Sequence, residues 1–153
     1  MSSPDNQILE ADFDLGFTYT RSPGLIIGKF LAALQQKRLY GIRRSNGEIL
    51  FPPTEYDPIS AASLDQFVAV EGTGTVVSWS WVSQPRAHHD VEAPFAFALI
   101  QLDGADTPFL HRLFCDSAEQ ISAGMRVSIQ WAKETRGAIT DIHGFVPLAN
   151  DKA

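Results

Sequence analysis

Apolar positions along the chain fall into two regimes. Leu25, Ile26, Phe30, Leu31 and Leu34 recur at helical spacing, which predicts one helix over about residues 23–38 with a single apolar stripe. Ser22-Pro23 supplies a start signal, Ser as N-cap and Pro in the first turn, and Lys37 and Arg38 complement the dipole at the far end. From Tyr40 onward the pattern is β. Asn46-Gly47 sits between short strand-like runs and marks a hairpin, because both residues tolerate positive φ. Pro52-Pro53 closes that hairpin, and residues 54–64 read as a loop. Phe67–Val70 leads through Gly72 and Gly74 into a long strand, Thr75–Val82. A polar loop over 84–93 follows, then strands at Phe95–Leu102, Pro108–Cys115, Met125–Lys133 and Ala138–Val146, with a short helical element at Ser117–Ile121. Five strands with a helical element between the third and fourth predict a mainly β fold, a five-stranded OB-fold barrel. A β-sandwich is the alternative. Gly72 and Gly74 suit a bulge in the long first strand. Residues 1–20 show no period sustained over the segment and read as an extended, poorly ordered lead-in. The predicted divisions are thus 1–22, 23–64 and 65–150.

Composition narrows the class without naming a function. The chain has 153 residues, 44% hydrophobic and 20% charged, the range of a single globular domain rather than a disordered or fibrous chain. No apolar run approaches the roughly 20 residues of a membrane span. The N-terminus lacks the basic start and apolar block of a secretory signal, so a cytoplasmic location is the expectation. The single cysteine, Cys115, can form neither an internal disulfide nor a cysteine zinc site. The net charge of −6 weighs against a general nucleic-acid binder.

Charge is unevenly spread. Arg21, Lys29, Lys37, Arg38, Arg43 and Arg44 fall in one window without an acidic residue, and the remainder carries 18 acidic against six basic residues, or −12. Such an arm either docks a phosphate-bearing ligand or acidic partner, or packs on the acidic body.

Few residues have the spacing of catalytic machinery. Gly72-Thr73-Gly74 lacks the Lys-Ser/Thr and helix of a phosphate loop, and no G-x-S-x-G elbow is present. Cys115 lies beside Asp116, which opposes a thiolate. His88-His89-Asp90, in the loop after the first barrel strand, could hold an ion with a third ligand from Asp90 or Glu92; a solvated loop is the ordinary alternative. His111 and His143 read as strand histidines, and Asp141 with His143 forms a conceivable acid–base pair on one strand face. Trp79 and Trp81 share a face with Val77, opposite Val76, Ser78, Ser80 and Val82. No Lys or Arg lies in 67–85, so these tryptophans suit a core or a protein interface better than stacked bases.

Several runs resemble a known family. Glu71-Gly-Thr-Gly-Thr-Val-Val-Ser-Trp-Ser80, Ala93-Pro-Phe-Ala-Phe-Ala-Leu-Ile-Gln-Leu-Asp-Gly104, Ile121-Ser-Ala-Gly-Met-Arg-Val127 and Ile142-His-Gly-Phe-Val-Pro147 are similar, in order and spacing, to segments of the domain-of-unknown-function-thirty-five family. The resemblance covers about residues 24–148. It implies an N-terminal helix, a rubredoxin-like zinc ribbon and an OB barrel. In that family the ribbon reads CxxCG, then CPxC. Aligned on Gly47, Pro52-Pro53 and Pro58, the four cysteine positions become Arg43, Asn46, Asp57 and Ser60. Arg is a cation, and Asn and Ser are poor zinc ligands. The expectation is a degenerate, metal-free ribbon hairpin without zinc. The resemblance also implies a non-catalytic scaffold subunit of an acyl-CoA-processing enzyme in lipid metabolism, thiolase-like, aldolase or hydratase, with a CoA thioester as ligand. Lys29, Lys37, Arg38, Arg43 and Arg44 are the candidate CoA or partner contacts. A single-stranded nucleic-acid binder is the alternative, and a small enzyme using His88, His89 or Cys115 a third. A homo-oligomer stays open.

Overall fold

A computed structural model describes residues 11–148; residues 1–10 of the predicted lead-in and 149–150 of the predicted barrel segment lie outside the described residues. Helix α1 runs Gly24–Gln35 and buries Ile26, Phe30 and Leu34 of the expected stripe, together with Ala33, while Leu31 is half-buried and Leu25 faces water. It starts later than expected. Pro23, not Ser22, flanks it, because Gly24 adopts φ +80° and breaks the turn there; the Ser22 hydroxyl accepts the Gly24 N–H at 3.3 Å instead. It also stops earlier. Lys37 takes the left-handed conformation, φ +57°. Its N–H donates to Leu34 O at 2.8 Å, and the Arg38 N–H donates to Ala33 O at 3.0 Å. That pair of bonds is a Schellman stop with lysine where glycine is usual. Lys37→Gly is therefore expected to raise stability by about 0.5–1 kcal/mol, the left-handed penalty of a side chain less the added freedom of the unfolded glycine. Urea midpoints of the two proteins check this.

Strands β1 (Leu39–Arg43) and β2 (Ile49–Leu50) form the expected hairpin. Its turn is closed by Arg44 N–H to Glu48 O and Gly47 N–H to Arg44 O, with Gly47 at φ +92°. Strand β3 (Phe67–Val70) pairs antiparallel with β1, giving a three-stranded sheet of order β2-β1-β3. Thus Phe67–Val70 belongs to the ribbon-like sheet. The intervening loop is a small knuckle: Tyr56 bridges Ser63, and Asp57 N–H donates to Ala62 O.

Strands β4 (Thr73–Val82), β5 (Phe95–Leu102), β6 (Phe109–Leu113), β7 (Arg126–Trp131) and β8 (Ile142–Pro147) close a barrel of order β4-β5-β6-β8-β7. Only the β6–β8 contact is parallel. This is the OB arrangement, and the sandwich alternative is set aside. The helical element shrinks to a 3-10 turn, Ala118–Gln120, and the predicted fifth strand loses its start to another, Ile139–Asp141.

The bulge lies not at the glycines but between Val76 and Ser78. Gly72 and Gly74 permit close crossings: an added Cβ would meet Ile129 at 2.7 Å and Gln101 O at 2.6 Å. The bulge inserts one residue and so reverses the facing of what precedes it. Val76 is buried on the tryptophan side, Val77 is exposed, and Trp79 and Trp81 are half-buried against the core. The core joins barrel and helix. Phe30 of α1 meets Phe51 edge-on at 5.8 Å, and Phe51 meets Phe109 of β6 at 5.1 Å. Leu34, Ile100, Leu113 and Phe145 are fully buried beside them.

Candidate functional site

The basic residues do not form one patch. Lys29 sits on α1 with Nζ 4.9 Å from the centroid of the Phe67 ring, a cation–π contact. Lys37 and Arg38 lie together at the helix stop. They line a cleft of about 300 Å³ between the three-stranded sheet and the barrel, with Tyr40, Glu71, Ile129 and Trp131. Arg43, on β1, donates from Nη1 to Gly47 O at 3.1 Å. Arg44 is engaged internally. Its Nε donates to Asp57 Oδ2 at 2.8 Å and Nη2 to Oδ1 at 3.1 Å, while Nη1 pairs with Glu48. With 11% of the Arg44 side chain and 2% of the Asp57 side chain exposed, little of that guanidinium is left for a ligand.

The same clamp decides what the ribbon-like segment can hold. Asp57 Oδ1 also accepts the N–H groups of Ile59 and Ser60 at 2.8 and 2.9 Å. Bonding to Arg44 and then to these N–H groups holds its carboxyl far below the usual carboxylate range. The Arg44 guanidinium is raised in return, chiefly by its bonds to Asp57. Asn46 Oδ1 accepts the Glu48 N–H at 3.0 Å. Of the four positions aligned with cysteines, one is a cation, and the acceptor oxygens of Asn46 and Asp57 are already taken by donors of this chain. These residues do not fit a zinc ion. Nothing in the spacing singles out Asp57 except Asp57-Pro58-Ile59-Ser60, a sequence that favours an Asx turn.

A second concave surface opens where β6 diverges from the start of β8. It is a groove of about 560 Å³ framed by the 3-10 turns Ala87–His89 and Ile139–Asp141, with Phe97, Leu110, His111 and Arg112 between them. The Arg112 guanidinium ties down the turn through a bond to His89 O at 3.1 Å. His88 and His89 rings pack edge-on at 4.2 Å, and His89 Nδ1 accepts the Arg86 N–H at 3.0 Å. Partial burial, then the charges of His88, Arg86 and Arg112, lower the His89 pKa. Among the described residues, no three His, Cys, Asp or Glu converge as a metal set. Sequence reasoning missed His111 as part of this groove. Its ring packs against Phe109 and Phe145, its buried Nδ1 has no hydrogen-bond partner among the described residues, and burial lowers its pKa to about 4.

The remaining sequence candidates are structural. Cys115 is partly buried, and burial followed by the Asp116 charge pushes its thiol up, away from a reactive thiolate. Asp141 and His143 do not pair on a strand face, because the strand starts at Ile142. Asp141 is buried and receives the N–H groups of Arg136, Gly137 and Ala138 at 3.0, 2.8 and 3.2 Å. Burial pushes its pKa up, but these three donors outweigh it and hold the carboxylate ionised. His143 is exposed and stacks on Phe114 at 5.0 Å.

Known proteins share this arrangement. A family model described as "ChsH2, C-terminal OB-fold domain" matches residues 67–132. A "DUF35 domain-containing scaffold protein" of Pyrococcus furiosus is 30% identical over 95 residues, 62% of this chain and 69% of that protein. Among solved structures, a chain described as "Ltp2-ChsH2(DUF35) aldolase" has a TM-score of 0.59 at 24% identity, over 78% of this chain and 91% of that one. A protein of unknown function from the DUF35 family of Sulfolobus solfataricus has a TM-score of 0.53 at 18% identity, over 66% of this chain and 74% of that one. The two structures share the fold, and the Pyrococcus furiosus protein adds sequence identity across most of its length. On the strength of that sequence relationship, this chain belongs to the DUF35 family.

Proposed function

We propose that this protein is a non-catalytic accessory subunit of an acyl-CoA-processing enzyme of the aldolase, thiolase-like or hydratase kind. The relationship to a DUF35 scaffold protein carries this reading. A chain of like fold whose description joins DUF35 to an aldolase supports the choice of partner. The Lys37–Arg38 cleft is the candidate CoA contact: two cations suit phosphate oxygens, and Tyr40 and Trp131 offer flat surfaces beside them. Lys29, over the Phe67 ring, and Arg43, bonded to Gly47 O, lie outside this cleft and are separate candidate contacts, while Arg44 serves the fold. The degenerate ribbon works here without zinc, as a clamp between hairpin and knuckle.

Affinity purification from the source organism, with partners identified by mass spectrometry, tests the reading. An acyl-CoA enzyme is expected in the eluate. In the reconstituted complex, the double change Lys37→Glu/Arg38→Glu is expected to weaken CoA binding at least tenfold by calorimetry. Nuclease-sensitive nucleic acid in place of an enzyme would overturn the reading. Unchanged CoA affinity in the double variant would move the CoA contact off this cleft.

A further inference from the structure

The lack of a period over residues 1–20 as a whole conceals a shorter one. From Asp12 to Thr20 the chain alternates strictly: Phe13, Leu15, Phe17 and Tyr19 on one side, Asp12, Asp14, Gly16, Thr18 and Thr20 on the other. The residues are irregular in conformation and every one from 11 to 25 is exposed. Phe13 is 84% exposed, Leu15 65%, Phe17 77% and Tyr19 77%. No hydrogen bond among the described residues ties 11–21 to the rest of the protein. Alternation of this kind is the signature of a strand with one buried face, yet this strand has no sheet and its apolar side no cover. Four large apolar groups in water over about 20 Å of chain are a recognition feature rather than a surface average.

We infer that residues 12–20 form a docking strand that adds to an open sheet edge of the enzyme subunit that this protein serves. The inference rests on the accessory-subunit reading above. Two observations point away from a second copy of this chain. The edges of the three-stranded sheet are β2, with two residues, and β3, with four, too short for seven residues from Phe13 to Tyr19. The barrel segment, residues 71–148, holds nine acidic against five basic residues, a net −4, which disfavours Asp12 and Asp14. The matching partner surface has an edge of at least seven residues, apolar sockets at alternate positions and a basic rim facing the two aspartates. The docking face continues past the arm, because Leu25, on the first turn of α1, is 85% exposed and borders an apolar groove with Lys29 and Phe67.

The test uses the full chain and the acyl-CoA enzyme identified in the purification, each purified and mixed. Phe13→Asp/Phe17→Asp changes the apolar face, and Asp14→Asn/Thr18→Asn changes the polar face. Neither pair touches the described core, so folding is checked by the thermal midpoint alone. The apolar-face variant is expected to weaken the complex at least a hundredfold, and the polar-face variant less than fivefold. Amide exchange across residues 12–20 is expected to slow only in the complex, on alternate residues. Equal binding by wild type and the apolar-face variant overturns the inference while leaving the accessory role intact. A dimer of this chain that the apolar-face variant abolishes overturns it in favour of a second copy. Absence of any enzyme partner overturns the accessory reading itself, and the arm's assignment with it.

Discussion

Replacing His111 by leucine is expected to flatten the stability of this protein between about pH 6.5 and 4. Burial first, and then the neighbouring Arg112 charge, lower the His111 pKa from 6.5 to about 4, against a weaker opposing effect of the Arg112 backbone. Above pH 6.5 both folded and unfolded chains carry a neutral imidazole, and the group has no effect. As the pH falls below 6.5, the unfolded chain takes up a proton that the folded protein refuses, so stability falls until the folded group itself titrates near 4. The interval corresponds to a loss on the order of 3 kcal/mol. Leucine suits the Phe109 and Phe145 rings around the site and does not titrate. Urea midpoints at pH 7, 6, 5 and 4 should therefore lie closest at pH 7 and separate progressively toward pH 4, with the leucine variant the more stable. A shallower slope persists in the variant, since the His89 pKa is also lowered. Parallel curves for the two proteins would mean that His111 takes its proton in the folded state with little penalty.

Asp57→Ala is expected to lower the thermal midpoint on the order of 5–10 °C. The carboxylate joins the hairpin turn, through Arg44, to its own knuckle, through the Ile59 and Ser60 N–H groups. Its removal leaves an almost enclosed guanidinium with the exposed Glu48 as its remaining carboxylate partner and frees two backbone donors, which costs more than the pair itself contributes. Arg44→Met/Asp57→Leu is expected to recover part of the loss, because neither charge is then left alone. The acid behaviour has its own window. The folded pKa of Asp57 lies below 3.8, so its stabilisation is fully present above that value and is lost as the pH falls below it, a range lower than that of His111. A chelator is expected to leave the midpoint unchanged, because the clamp is a pair of side chains rather than a metal. A drop on adding chelator would show that this segment holds an ion by ligands other than the four aligned positions.

The order of elements was legible because it is written in short-range patterns. The i, i+4, i+8 burial of Ile26, Phe30 and Leu34 follows from the spacing of α1, whereas Leu25 of the same expected stripe faces water. Asn46-Gly47 announced the β1–β2 turn, and five β-capable runs in the right order were enough for an OB barrel. Boundaries were less legible, since a lysine in left-handed conformation ends α1 where the sequence offers no glycine. The candidate site was legible in part. Lys37 and Arg38 sit beside the cleft, whereas Arg44, of the same basic window, looked equivalent in sequence and is occupied by a carboxylate thirteen residues away.

By itself, then, the sequence determined the helix, the hairpin, the strand order and the basic window, because periodicity, turn chemistry and charge are properties of neighbours along the chain. Tertiary structure alone decided which way Val77 faces, since one bulged residue shifts the facing of a strand. It alone decided that Asp57 serves Arg44, that Asp141 caps its own loop, and that His111 is enclosed by Phe109 and Phe145. Burial and pairing arise between segments far apart in sequence, and no local pattern encodes the partner. The alternation of Phe13, Leu15, Phe17 and Tyr19 was present in the sequence throughout. It acquired meaning only when the fold closed its own core without those residues and left them facing water.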